Sequence, residues 1–300
     1  MRLSFQHIQK SFGSQKVLQD ISFSVESGTA LGLLGRNGAG KTTSIRILLD
    51  IISADGGNIL LDGKPLDRST VSFSYLPEER GLYPKKNVLT QLQYIGQLKG
   101  LSGAESKKQA TRLLMRMQLE SFAQKRLETL SKGNQQKIQL IAALIGDPQI
   151  IVLDEPFSGL DPVNAKLLKE LVLEQTAQGK PVLFSSHQMS YVEEFCENIA
   201  ILHQGKIVLS GKLSQIKKGY PRNRVQVEGI PESQIAAIEA LPMVVSLSQQ
   251  NEFSQITLSS PQEKDALLHS LIAMNVSIER FEVMEPTLEE IFVEKAGDSL

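Results

Sequence analysis

The sequence predicts an α/β chain in two domains, and three observations carry that prediction. Short apolar runs alternate with helical patterns up to about residue 211, as expected of a mostly parallel sheet with helices on its faces. Within that stretch, Gly35-Arg-Asn-Gly-Ala-Gly-Lys41-Thr42 matches G-x-x-x-x-G-K-[ST] at every fixed position, a loop that wraps phosphate between a strand and a helix. Past Gly211 the texture changes and a second, shorter alternation begins.

Residues 2–34 read as strands, with turns at Gly13-Ser14 and Ser27-Gly28; Ala30–Leu34 is a buried strand by length and content. Thr42–Asp50 reads as a helix. Asp55-Gly-Gly57 turns into a short strand, Asn58–Leu61, and Val71–Leu76 is another, ended by Pro77. From Asn87 to about Gln118 the pattern is helical, broken at Gly100–Gly103. Leu130–Gly146 approaches a second helix, and Ile150–Leu153 is a central strand. Helix Asp161–Gln178 and strand Pro181–Ser185 follow. Lys217-Lys-Gly-Tyr-Pro-Arg222 has linker composition. Beyond it come strand Arg224–Glu228, helix Pro231–Leu241, strands Val244–Gln249 and Phe253–Ser259, helix Gln262–Asn275 and strand Val276–Val283. That order, βαββαβ, is the ferredoxin-like pattern. A last helix starts at Pro286, where Thr287 and Glu290 have capping-box spacing.

Bulk properties narrow the classes of function. Apolar residues make up 41% of the 300, enough to bury a substantial core. The 32 basic and 33 acidic residues nearly cancel, so no bulk attraction to nucleic acid is implied and no nucleic-acid partner is expected. The single cysteine, Cys196, sits in the amphipathic run Tyr191–Glu197 and reads as a buried structural thiol. No signal peptide is visible, and no apolar stretch approaches the ~20 residues of a membrane span. The expectation is a cytosolic chain that is soluble by itself.

The chemistry concentrates in the first domain. Free backbone N–H groups at a helix N-terminus hold phosphate, and glycines at 35, 38 and 40 let the loop approach it closely. Lys41 should reach the β- and γ-phosphates, and the Thr42 hydroxyl should bind Mg²⁺. Ile150–Leu153 ends in Asp154-Glu155, at the carboxyl edge where α/β sheets bind ligands. Alone, this pair reads as a surface acidic turn; beside a phosphate loop, Asp154 reads as a Mg²⁺ holder and Glu155 as the group that polarises an attacking water.

Leu130-Ser131-Lys132-Gly133-Asn134 resembles the L-S-G-G-Q signature of ABC-type ATPases. Ser158-Gly159-Leu160-Asp161 resembles that family's D-loop, Ser185-Ser186-His187 its switch histidine, and Pro77-Glu78-Glu79-Arg80-Gly81-Leu82-Tyr83 stands at its Q-loop. Phe12 sits where the family stacks an aromatic on adenine. The ending Pro-Thr-Leu-Glu-Glu-Ile-Phe292 resembles an extension on the sodium-extrusion-like and drug-exporter-like branch.

The resemblance implies a P-loop NTPase core with antiparallel-β and helical subdomains over residues 1–212, the helical part at about 78–146. A linker at 213–223 and an accessory domain at 224–300 would follow. It implies ATP and Mg²⁺ as cofactors. The nucleotide would contact Phe12, Gly35, Arg36, Asn37, Gly38, Ala39, Gly40, Lys41, Thr42, Thr43, Glu78, Ser131, Gly133, Asn134 and Asp161. Thr42, Asp154 and Glu78 would hold the metal, and Glu155, His187 and Lys41 would carry the catalysis. Ser131 and Gly133 would act across a two-fold axis, from a second ATP-binding subunit, with a homodimer expected. The resemblance also implies a separate integral membrane permease of export type, placing the chain on the inner face of the cell membrane.

Three departures stand out: Lys132 replaces the first signature glycine, Asn134 replaces the signature glutamine, and Glu78 stands where glutamine is usual. An ionised carboxylate cannot donate a hydrogen bond there. A soluble mechanical or regulatory ATPase is the alternative. Ribosome-acting relatives carry two cassettes and DNA-acting ones a long coiled coil, whereas only about 88 residues separate Lys41 from Leu130, too few for such an arm. A catalytically dead binding module conflicts with the intact Lys41, Asp154, Glu155 and His187.

Overall fold

In the computed structural model, which describes residues 1–79, 81–158, 160–250 and 253–296, the chain divides into two compact units, Met1–Leu213 and Ser214–Leu300. The first unit opens with a hairpin of β1 (Arg2–Phe12) and β2 (Gln15–Glu26). Leu3, Phe5, Ile21, Phe23 and Val25 alternate inward and are buried, and Phe5 stacks on Phe23 with ring centroids 4.2 Å apart. Period-two patterning thus sets the hairpin register. Strand β3 (Ala30–Leu34) leads through residues 35–40 into helix α1 (Lys41–Leu48). Next come β4 (Gly56–Leu61), the two-residue β5 (Lys64–Pro65) and β6 (Phe73–Leu76). The first sheet runs in the order β2-β1-β4-β5.

Helices α2 (Val88–Leu98) and α3 (Gly103–Arg116) form an antiparallel pair; α3 starts at a full capping box between Ser102 and Glu105. Helix α4 (Lys132–Leu144) is capped by Ser131, whose Oγ accepts from the Asn134 N–H. Its far end is closed by Lys99, whose Nζ donates to the carbonyls of Ala142 (3.0 Å), Ala143 (2.7 Å) and Ile145 (2.9 Å). A cation on those carbonyls complements the negative end of the helix. Strand β7 (Ile150–Asp154), helix α5 (Pro162–Ala177), β8 (Val182–Ser186), α6 (Met189–Phe195), β9 (Asn198–His203) and β10 (Lys206–Lys212) complete the unit.

The second sheet has the order β10-β9-β3-β8-β7-β6, parallel throughout except for β10. Every residue of β3, β7 and β8 is buried, as a sheet covered on both faces requires. Its register pairs Leu34 with Ser186, Asp154 with Ser185 and Leu76 with Leu153. The segments after β3, β6, β7 and β8 therefore emerge along one carboxyl edge, and these segments carry the motifs.

After helix α7 (Leu213–Lys218), the second unit contains β11 (Arg224–Glu228), α8 (Glu232–Glu239), β12 (Val244–Gln250), β13 (Phe253–Leu258), α9 (Lys264–Ala273), β14 (Arg280–Met284) and α10 (Leu288–Ala296). The antiparallel order β12-β13-β11-β14 is the ferredoxin-like arrangement the pattern predicts. Val225, Val227, Ile238, Ile256, Leu258, Leu267 and Leu271 form its core. The Thr287 and Glu290 capping box closes in both directions, at 2.8 and 3.2 Å.

Three readings need correction. Residues 213–223 are not linker throughout, because 213–218 are helical; Lys217 and Lys218 sit in the last turn of α7, where cations suit the helix dipole. The last strand starts at Arg280 rather than Val276: Asn275 has φ 55°, and the chain pairs only from Arg280 opposite Glu228. Strands β9 and β10 and helix α6 escape the sequence reading of the region after Ser185. Cys196 is buried, as expected, and burial pushes its thiol up.

Candidate functional site

The loop after β3 can close only with glycine at its two ends. A β-carbon on Gly35 would lie 2.4 Å from the Leu202 carbonyl oxygen. One on Gly40, where φ is 111°, would lie 2.5 Å from Leu18 Cδ2. Beyond Gly40 the chain enters α1, and Lys41 turns back under the loop to donate to the Gly35 carbonyl at 2.6 Å. Its Nζ is also 3.6 Å from Glu155 Oε1, with both side chains 6% exposed. The buried cation and carboxylate thus compensate each other's lost hydration.

Asp154 ends β7 and is 1% exposed. It accepts from Ser185 Oγ on the neighbouring strand, while its Oδ2 has no hydrogen-bond partner. Burial and the Asp154 carboxylate push the Tyr75 phenol up to about 12. Glu155 has φ 49°, a left-handed conformation unusual for a non-glycine residue. The sheet holds it there: its N–H donates to the Ser185 carbonyl at 3.1 Å, and its Oε2 accepts from Ser186 Oγ at 3.2 Å. His187 Nδ1 lies 2.9 Å from Glu155 Oε1. Strain of this kind, typically about 1–3 kcal/mol, clusters at active sites, ligand clamps and switch regions.

A cleft of 410 Å³ opens above these groups, lined by Gln15, Val17, Arg36, Asn37, Gly38, Gly40, Lys41, Thr42, Thr43, Glu78 and Glu155. Gly35 and Ala39 lie buried beneath the loop rather than on the cleft wall. Phe12 is 51% exposed, with Lys10 Nζ 5.4 Å above its ring. It is not among the lining residues; Gln15, its partner across the hairpin turn, is. Sequence reasoning misses Gln15 and Val17 because nothing in their identity distinguishes them from other strand residues.

Ser131, Gly133 and Asn134 lie at the N-terminus of α4, and Asp161 caps α5 by accepting from the Asn164 N–H at 2.9 Å. The two helix ends are neighbours: a β-carbon on Gly133 would be 3.4 Å from Asn164 Nδ2. None of these four residues lines the cleft of their own chain. Gly159 and Arg80, within the motifs quoted above, lie outside the described residues. Thr42 and Glu78 on the cleft wall and the neighbouring Asp154 carry hard oxygen donors of the kind that suit a divalent cation such as Mg²⁺, and Asp154 Oδ2 is buried without a hydrogen-bond partner.

Comparison with known proteins bears on this arrangement. The sequence model of the ABC transporter family matches residues 18–158. The chain is 38% identical over 296 residues, 98% of each chain, to the uncharacterised ABC transporter ATP-binding protein YhaQ of Bacillus subtilis (strain 168). The chain belongs to the family of ABC transporter ATP-binding proteins. The linearmycin resistance ATP-binding protein LnrL of the same organism is 30% identical over 99% of both chains. A solved ATP-binding subunit of an ABC transporter superposes with a TM-score of 0.67 at 31% identity, covering 73% of this chain and 93% of its own. A second family model, the C-terminal domain of DrrA1-3-like ATP-binding proteins, matches residues 211–296, in agreement with the drug-exporter-like resemblance of the tail. The first unit is accordingly a nucleotide-binding cassette, and the chain is an ATP hydrolase of the ABC type.

Proposed function

We propose that the chain works as a two-fold pair of copies that binds and hydrolyses Mg-ATP to drive a separate, export-type membrane permease. The observation that carries this reading is the division of the motifs. Lys41 and Glu155 line one cleft, with Asp154 next to Glu155 in the chain and His187 Nδ1 2.9 Å from the Glu155 carboxylate, while Ser131, Gly133 and Asn134 do not line it and sit at the start of α4. A chain with this layout can grip phosphates but lacks donors on their far side. A second copy related by a two-fold axis would supply them, because an isologous contact presents each α4 N-terminus to the other's cleft.

In this mechanism the loop N–H groups of residues 35–43 and the Lys41 ammonium hold the β- and γ-phosphates, with Phe12 against the base. Thr42, Asp154 and Glu78 would hold Mg²⁺, which neutralises charge on the phosphates when bound. Glu155 accepts a proton from the attacking water, and His187, whose Nδ1 lies 2.9 Å from Glu155 Oε1, would hold the γ-phosphate and orient that water. Loss of the γ-phosphate removes what joins the two copies, and their separation is the stroke passed to the permease. Residues 1–212 are the motor in this reading, and 224–300 an accessory domain. Among the described residues no helix is long and apolar enough to cross a membrane; the pore belongs to another polypeptide, which holds the chain on the cytoplasmic face.

The test is affinity capture of the chain from gently solubilised membranes. Recovery of a multi-span permease supports the reading. Recovery of soluble partners alone, with ATPase activity intact, supports a mechanical or regulatory ATPase without a permease.

A further inference from the structure

The nucleotide chemistry leaves one buried polar face unexplained. On α4, Gln136, Lys137 and Gln139 are 8%, 6% and 5% exposed. Buried amides need hydrogen-bond partners, and two of these side chains place their Nε2 donors on the cleft loops, while Gln139 Oε1 has no partner. Gln136 Nε2 donates to the Pro156 carbonyl at 3.3 Å, and Gln139 Nε2 donates to the Glu79 carbonyl at 3.2 Å. Pro156 follows Glu155 and Glu79 follows Glu78, so one helix holds the residue next to each carboxylate that lines the cleft. Lys137, one turn on from Gly133, lies within electrostatic reach of Asp161. The helix capped by Ser131 is thereby tied to both acidic loops.

We infer that Gln136 and Gln139 are positioning residues that couple the two nucleotide sites of the paired assembly, an inference that rests on the two-copy reading above. When the partner's nucleotide engages Ser131–Asn134, α4 shifts as a rigid element. Its two amides carry that shift to Glu155 and Glu78 of their own cleft, since packed elements move as units. Occupancy of one site thus readies the other. Neither amide lines the cleft, so a single chain's grip on nucleotide does not depend on them.

The test uses the full chain with Gln136→Met, Gln139→Met and both together, since methionine keeps the volume and removes the donor. Four measurements are compared: affinity for a fluorescent ATP analogue with Mg²⁺, kcat, KM and the Hill coefficient of hydrolysis. The native chain is expected to show a Hill coefficient above one. In the double variant that coefficient falls to one and kcat drops about tenfold, with affinity and KM within about twofold of native. Each single variant falls between. A double variant with native kcat and cooperativity overturns the proposal. So does a parallel loss of affinity and kcat, which makes the glutamines merely structural, and the single variants separate that from misfolding. Trapping with Glu155→Gln separates the two readings. A dimer in Mg-ATP, with cooperativity indifferent to the glutamines, sinks the coupling alone. A persistent monomer sinks both.

Discussion

Replacing Gly40 by alanine tests whether the phosphate loop is shaped by steric necessity. At φ 111° a side chain occupies a backbone region that costs about 1–3 kcal/mol. The new β-carbon would also stand 2.5 Å from Leu18 Cδ2 and 3.1 Å from the Val17 carbonyl oxygen. Leu18 is 2% exposed and has nowhere to swing, so overpacking adds roughly 1–3 kcal/mol. The sum centres on roughly 4 kcal/mol, a large share of a typical domain's stability. Gly38 is the control: φ is 82°, and a β-carbon there would meet nothing within 4 Å, leaving only a conformational cost of about 1–2 kcal/mol. Urea unfolding followed by circular dichroism gives both values, with the transition of the first unit identified by its shift on adding nucleotide. If Gly38→Ala costs as much as Gly40→Ala, the steric account of the loop is wrong.

Other expectations follow from the same geometry. Lys99, on the α4 carbonyls, is pulled down to about 8 by burial, against about 10.4 in an unfolded chain. Between those pH values the unfolded chain binds more protons, so native stability should rise with pH relative to Lys99→Met; a flat or falling difference in denaturation experiments counts against it. Glu290 pairs with Arg224 and caps Thr287, which holds its carboxyl below the usual range. Glu290→Ala should cost about 1–2 kcal/mol at neutral pH by thermal unfolding of the second unit. Because the folded pKa is depressed, that advantage is lost as pH falls through it. Lys132 is exposed at the first position of α4, and Lys132→Gly should leave hydrolysis within about tenfold, roughly 1.4 kcal/mol of barrier; a larger loss would recruit Lys132 into the chemistry.

Much of the fold and site is legible in the sequence because the deciding residues sit in contiguous runs. Residues 35–42 announce their loop through glycine spacing, and Thr287 with Glu290 announces its cap. The antiparallel order of the second sheet follows from βαββαβ. What stays hidden depends on distant parts of the chain meeting. Gln15 and Val17 join the cleft only because β2 passes the loop that ends in Gly40, and Lys99 finds α4 across more than forty intervening residues. Glu155 gives no sign in sequence of its left-handed backbone, which the Ser185 carbonyl on the adjacent strand enforces. The buried glutamines of α4 look like a polar helix because their acceptors are backbone carbonyls, which no residue type advertises.

In the paired assembly each cleft is completed by a second copy of the chain. The most direct test of this is the mass of the Glu155→Gln chain in saturating Mg-ATP by sedimentation velocity, alone and combined with Ser131→Arg. A dimer of the 33.1 kDa chain is expected for Glu155→Gln, and a monomer that still binds nucleotide when Ser131→Arg is added. A Glu155→Gln chain that stays monomeric, or a dimer indifferent to Ser131→Arg, would contradict it.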